Sequence, residues 1–199
     1  MSAPANVMRW WWIRHAPVEA RGFCGWSDPP ADLSDEEAIG RLRSAMPEEA
    51  TLVTSDLDRA IGTAEAIARR TWRRLDPQRD LREQNFGAWE GMLTTDVPAE
   101  EADAFWSDPG VRAPPGGESF SEVCGRVGEA IAAARAEAAS ATDVVAVAHA
   151  GTVRAALVLA LGLNPSRALA FEVAPLSLTR IDWISEAGAW RVVSVNHDF

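Results

Sequence analysis

Of the three histidines in the chain, two follow short apolar runs directly. His15 comes after residues 8–13 (MRWWWI) and His149 after residues 144–148 (VVAVA), whereas His197 lies far down the sequence. Arg14 precedes His15, and Arg59 sits about one helical turn beyond a third apolar run at residues 51–54. Guanidinium forks bind phosphate oxygens in pairs and stay charged at every relevant pH. Their charge also keeps a nearby imidazole neutral, and so nucleophilic. This combination suits phosphoryl transfer, with His15 as nucleophile and Arg14, Arg59 and His149 around the phosphoryl group. Surface salt bridges are the competing use for the two arginines, more so for Arg59 than for Arg14. Zinc competes for the histidines, but it needs a third ligand and close spacing such as HxxxH, which the sequence lacks. The departing alcohol needs a proton. Glu83 and Glu90, both in LREQNFGAWEG, are candidates, and either could instead be a solvated loop acid.

Composition narrows the partners. The net charge is −10 over 199 residues. Such a field repels nucleic acid and anionic membranes, so an anionic substrate requires a locally positive pocket. The expected partner is a small phosphorylated molecule, with no nucleic acid and no membrane. All 19 basic side chains are arginine, which excludes lysine Schiff bases and the P-loop lysine. No apolar run approaches the ~20 residues of a membrane span. Residues 1–7 carry no basic side chain, and the apolar stretch after them contains Arg9 and Arg14. That is unlike a secretory signal, and a cytoplasmic protein is expected. Two cysteines, Cys24 and Cys124, are too few for a disulfide framework and read as free thiols.

The elements that would hold these residues alternate in type. Strands are predicted at residues 8–13, 51–54 and 144–148, and later at 171–173, 176–183 and 190–195. Ser34 and Glu37 form a capping box for a helix to about residue 46. Ser55 caps a second helix, residues 56–70. Residues 72–82 are ambiguous, with room for a strand, and 84–91 form a loop. A short helix is expected at 99–106. Ser119 and Glu122 open a long helix to about residue 139, and another follows His149 to residue 161, stopped by Gly162. This alternation predicts one α/β domain over residues 1–199, a three-layer α/β/α sandwich on a mostly parallel sheet. Residues 94–117, acidic and then rich in Pro and Gly, read as an embedded lid. Ligands of such sheets bind beyond the carboxyl ends of the strands. Three strand ends should therefore bring Arg14-His15, Ser55 with Arg59, and His149 into one crevice. Most of the nine tryptophans are expected in the core.

Five blocks, in order, resemble the histidine phosphatase superfamily, in the branch that includes cofactor-dependent phosphoglycerate mutases. They are IRHAP, TSDLDRAIGTAEAI, LREQNFGAWEG, PPGGES and VAVAHAGTVRAAL. The resemblance implies a phosphoglycerate mutase-like fold and a phosphohistidine at His15. It implies phosphate contacts from Arg14, Arg59, His149 and the N–H of Ala150, and Glu83 as the acid that later activates water. It implies no metal and no cofactor. Ala16, Pro17 and Val18 depart from the family's Gly-Glu-Thr pattern, and a phosphate-touching Asn has no counterpart. Gly25, Trp26 or Ser27 in RGFCGWSDPP could supply that contact, with Arg21 a candidate for an outer substrate group. The leading activity is a phosphomonoesterase, with α-ribazole 5′-phosphate as its specific substrate. A phosphoglycerate mutase and a catalytically silent phospho-ligand module are the alternatives. Oligomeric state is not readable.

Overall fold

Successive residues of a strand face opposite sides of a sheet, and two central strands show the consequence. In β1 (Val7–Arg14), Trp10 and Trp12 pack into one core, while Ile13 and Trp11 join another. In β4 (Asp143–Ala148), Val144, Ala146 and Ala148 face the first core and Val145 and Val147 the second. Apolar residues at every position thus mean two covered faces. The first core is closed by α4 (Phe120–Glu137) and α5 (Ala150–Leu161), through Phe120, Val127, Ile131, Val153 and Leu157. The second is closed by α1 (Glu36–Ala45) and α2 (Asp58–Ile67), through Ile39, Leu42, Ala60 and Ile67. The result is the expected three-layer α/β/α sandwich. This computed structural model describes residues 7–199; residues 1–6, read above for a leader, lie outside the described residues.

The six-stranded sheet has the order β3-β2-β4-β1-β5-β6. β2 (Thr51–Thr54) pairs in parallel with β4 and with the two-residue β3 (Arg73–Arg74), which lies in the ambiguous 72–82 stretch. β1 is parallel to β4. β5 (Leu178–Ile184) and β6 (Ala189–His197) are antiparallel additions beyond β1. The parallel strands put their carboxyl ends side by side. The His15 N–H reaches Ala148 O at 2.9 Å and the Ser55 N–H reaches Val147 O at 3.1 Å, so three polar ends meet at one edge.

Several local expectations differ. The cap of α1 is Asp35, whose carboxylate accepts from the Ala38 N–H; Ser34 is tied to Asp32, and Glu37 pairs with Arg41. The N-cap of α2 is Leu57, without a side-chain cap. Ser55 is held further back by His149, and Asp28 from a distant loop accepts from the Asp58 N–H at 2.8 Å. This helix stops at Ile67 because Ala68 is already extended. Residues 171–173 are not a strand, since the carbonyls of Phe171 and Val173 accept from arginine side chains. β5 begins only at Leu178, after Leu176 at a φ of 59° breaks the extended run. Within 94–117, α3 (Ala99–Ser107) forms as expected, and Val97 and Phe105 pack on Trp89 in a small separate core. Trp10, Trp12, Trp72 and Trp89 are buried, but Trp106 is exposed. Among the described residues no helix is long and apolar enough to cross a membrane.

One buried side chain fastens the end of β1 to α2. Thr63 Oγ1 accepts from the Ala16 N–H at 2.9 Å and donates to Arg59 O at 2.8 Å. Thr63→Val keeps the shape and strands that N–H. Urea unfolding should show a loss of about 1–3 kcal/mol; a midpoint unchanged from the parent would mean the N–H finds another acceptor.

Candidate active site

His15 is buried at the end of β1. Its Nδ1 lies 2.6 Å from Ala16 O, and Arg59 Nε donates to its Nε2 at 3.2 Å. A guanidinium has only donors, so Nε2 must be the accepting, lone-pair nitrogen and Nδ1 carries the proton. The ring is therefore neutral with its nucleophilic atom turned toward the arginine. Burial, with the charges of Arg59 and Arg14 assisting, pushes the His15 pKa down to about 3. His149, fully buried, is the N-cap of α5, with its ring centroid 5.0 Å from that of His15. Burial, then its closeness to His15 and the charges of Arg59, Arg126 and Arg14, holds it well below the usual histidine range. Its Nε2 sits 2.9 Å from Ser55 Oγ, while its buried Nδ1 has no partner among the described residues.

Arg59 is fully buried, which overturns the surface salt-bridge reading. Its Nη2 donates to Gly25 O at 2.6 Å and its Nη1 to Ser27 O at 2.8 Å, with Asp28 Oδ1 at 3.4 Å. The loop is locked in that orientation from behind. The Glu90 carboxylate accepts from the N–H groups of Gly25, Trp26, Ser27 and Phe86 and from Ser27 Oγ. Burial alone would raise the Glu90 pKa, but these hydrogen bonds hold it below the ordinary glutamate value. Gly25 must lack a side chain, because a Cβ would lie 2.1 Å from Gln84 O and 2.4 Å from Glu90 Oε1. The loop thus meets the pocket through carbonyls, not through the donors expected of Gly25, Trp26 and Ser27, which Glu90 occupies. The guanidinium groups of Arg79 and Arg82 lie 5.0 and 5.1 Å from the centroid of the Trp26 ring, whose Nε1 donates to Glu83 O. Arg21 is exposed and makes no hydrogen bond or ion pair among the described residues.

Of the two loop glutamates, Glu83 reaches the start of the helix that follows His149, and its charge is felt by Arg14. Its carboxylate accepts from the Gly151 N–H at 3.0 and 3.1 Å, in the first turn of α5, and from the Gln84 N–H. A Cβ on Gly151 would lie 2.0 Å from Glu83 Oε1, so this approach requires glycine. The backbone of Glu83 is clamped too. Arg126 donates to the carbonyls of Asp80, Arg82 and Glu83, and Thr152 Oγ1 to that of Leu81. Arg14 donates to Val173 O at 2.7 Å; burial lowers its pKa and the charge of Glu83 opposes that. Ala150 is the first residue of α5, where backbone N–H groups lack helical acceptors. Sequence reasoning missed Arg154. It lies three residues beyond Gly151, on the same helix face, half-buried and electrostatically coupled to Glu83. Its position one turn into the helix after His149 was the available signal. The arrangement gathers a neutral nucleophile, three guanidinium groups, helix N–H donors and a carboxylate: a set able to bind a phosphoryl group, attack it and move a proton.

Comparisons with known proteins bear on the family and the fold. A profile described as the histidine phosphatase superfamily, branch 1, matches residues 10–198. A glucosyl-3-phosphoglycerate phosphatase of Mycolicibacterium vanbaalenii is 35% identical over 142 residues, covering 67% of this chain and 63% of that protein. The chain therefore spans less than two thirds of that relative's length. The solved structure of a mycobacterial glucosyl-3-phosphoglycerate phosphatase superposes with a TM-score of 0.80 at 25% identity, over 96% of this chain and 100% of that one. The crystal structure of the α-ribazole phosphatase from Shigella flexneri gives 0.81 at 24% identity, over 96% of each chain. That last likeness bears on the fold alone.

The two histidines make stability depend on pH. Their folded pKa values lie below the unfolded value near 6.5, so the unfolded chain takes up protons first as the pH falls. The stability they contribute is complete above about pH 6.5 and is lost progressively toward pH 3. His15 should cost about 1.4 kcal/mol per pH unit in that window, and His149 acts in the same direction. Urea unfolding at pH 7.5, 6 and 5 should show the decline, with a shallower slope in His149→Asn; an identical slope would mean His149 is not buried neutral.

Proposed function

The chain belongs to branch 1 of the histidine phosphatase superfamily, and on that premise we propose that it is a phosphomonoesterase working through a phosphohistidine at His15. The observation that carries this reading is the forced tautomer of His15, with the Nε2 lone pair facing the Arg59 N–H. The phosphoryl group of a small metabolite enters among Arg14, Arg59, His149 and the Ala150 N–H. With Ser55 Oγ–H donating to Nε2, His149 Nδ1 carries the proton and offers it to a phosphoryl oxygen. His15 Nε2 then attacks phosphorus. The P–O bond to the leaving alcohol breaks as Glu83 delivers its proton to that oxygen. In the second half Glu83 takes a proton from water, the oxygen attacks phosphorus, the N–P bond breaks and inorganic phosphate departs. The arginines stabilise charge on the transferring oxygens throughout. Residues 94–117 would cover the site as a lid within this single domain.

The leaving group divides the possibilities. α-Ribazole 5′-phosphate remains a candidate from the sequence resemblance. The 35% identical relative favours a phosphate ester of the glycerate type instead. A panel holding both esters, read by phosphate release, separates them.

Two outcomes test the mechanism. His15→Ala should fold yet lose nearly all turnover, and acid-quenched parent enzyme should carry acid-labile phosphate that the variant lacks. Normal turnover by His15→Ala would sink the mechanism. Glu83→Gln should slow phosphoenzyme formation from an alkyl phosphate about 10²–10⁴-fold, but only mildly from p-nitrophenyl phosphate, whose phenolate leaves without help. Rapid-quench measurement reads both substrates. Equal slowing would give Glu83 a binding role rather than that of an acid.

A further inference from the structure

We propose that Arg154 is a specificity-determining residue that receives a carboxylate carried by the leaving group, beside the ester oxygen. The inference rests on the phosphomonoesterase reading and narrows its substrate to monoesters of hydroxy acids.

Three other arginines around the cleft are largely engaged, and a fourth, Arg14, keeps a buried Nε without a partner among the described residues, where the phosphoryl group is proposed to bind. Arg59 spends its donors on His15, Gly25, Ser27 and Asp28. Arg82 forms a two-point pair with Asp56, and Arg126 is shared among Glu118 and three carbonyls. Arg14 places Nη1 on Val173 O and sits directly beside the nucleophile. Arg154 differs. Only its Nε is used, donating to Phe171 O at 2.9 Å, and neither Nη group has an acceptor among the described residues. The guanidinium is half-buried, and burial pulls its pKa below the usual arginine value while Glu83 opposes that. A partly desolvated fork with both outer nitrogens free is matched by a carboxylate binding through two parallel hydrogen bonds.

Glu83 is not that carboxylate. It lies against the helix that carries Arg154, yet the two form no ion pair, because its oxygens are held by the N–H groups of Gly151 and Gln84. The phosphoryl group is not the occupant either, since Arg14, Arg59, His149 and the start of α5 already surround it. What remains is the leaving group. Its ester oxygen must lie against Glu83 to receive the proton. Helical side chains lean toward the helix N-terminus, so Arg154 leans from the second turn of α5 toward Glu83 and His149. A carboxylate one or two carbons from the ester oxygen falls on that side.

Two phosphonates with no cleavable P–O–C bond isolate the effect. 3-Phosphonopropanoate carries the carboxylate, and propylphosphonate has a methyl in its place. By titration calorimetry the parent protein should bind the first about 10- to 100-fold more tightly, the range for hydrogen bonds to a charged group. Arg154→Gln should bind both alike, and Arg154→Lys should retain part of the preference. Equal binding of the two by the parent overturns the proposal. So does an equal loss of both in Arg154→Gln, which would place Arg154 on the phosphoryl group or on Glu83. If Arg154→Gln fails to fold, the parent and Arg154→Lys decide. Parent protein inert toward p-nitrophenyl phosphate would remove the phosphatase reading while leaving this comparison intact.

Discussion

Taking a guanidinium out of water costs several kcal/mol unless its N–H groups find acceptors, and Arg59 is taken out completely. Its acceptors are mostly uncharged: two loop carbonyls and an imidazole nitrogen, with Asp28 at the edge of reach. Much of the architecture follows. For Gly25 and Ser27 to turn carbonyls inward, the loop's N–H groups must turn outward, and Glu90 collects three of them in succession. Glu90 reaches them only because residue 25 has no side chain. The loop then returns Asp28 to the N-terminal end of α2, which bears Arg59. Buried charge, loop and helix thus hold one another.

Leaving that charge without a full carboxylate partner has a chemical consequence. Burial disfavours protonation of both histidines, and the uncompensated positive charge beside them adds to that, so both stay neutral. An acidic protein with a net charge of −10 thereby keeps a site for anions. Carboxylates that would spoil it are occupied elsewhere, Asp56 by Arg82 and Glu118 by Arg126. Glu83 is brought in, with Asp28 only at the edge of reach of Arg59, and the carbonyls around Glu83 are clamped by Arg126, Thr152 and Trp26. That fixed geometry suits the role proposed for Glu83, acid and then base on the face of phosphorus opposite His15.

The parts legible in the sequence were those with local causes. Apolar runs that end abruptly in polar residues located His15 and His149, and the capping box at Ser119 opened α4 as expected. Contacts between distant segments left no such trace. Asp28 capping α2 across 30 positions, Glu90 holding the 25–27 loop, and arginines claiming the carbonyls of Phe171 and Val173 all arise from tertiary neighbours. Where two adjacent residues could cap, as with Ser34 and Asp35, spacing alone could not choose; the structure gives the role to the carboxylate.

The resting contacts also explain how a closed site can accept substrate. Every acceptor now on Arg59, apart from Asp28, is neutral, and one of them is the nucleophile itself. Phosphoryl oxygens carry charge, and charge-assisted hydrogen bonds are roughly twice as strong as neutral ones. On the proposed mechanism, substrate binding would exchange weak acceptors for strong ones on the same guanidinium. The exchange would free the Nε2 lone pair as phosphorus arrives, so the interaction that holds the proposed nucleophile would also be the one that releases it.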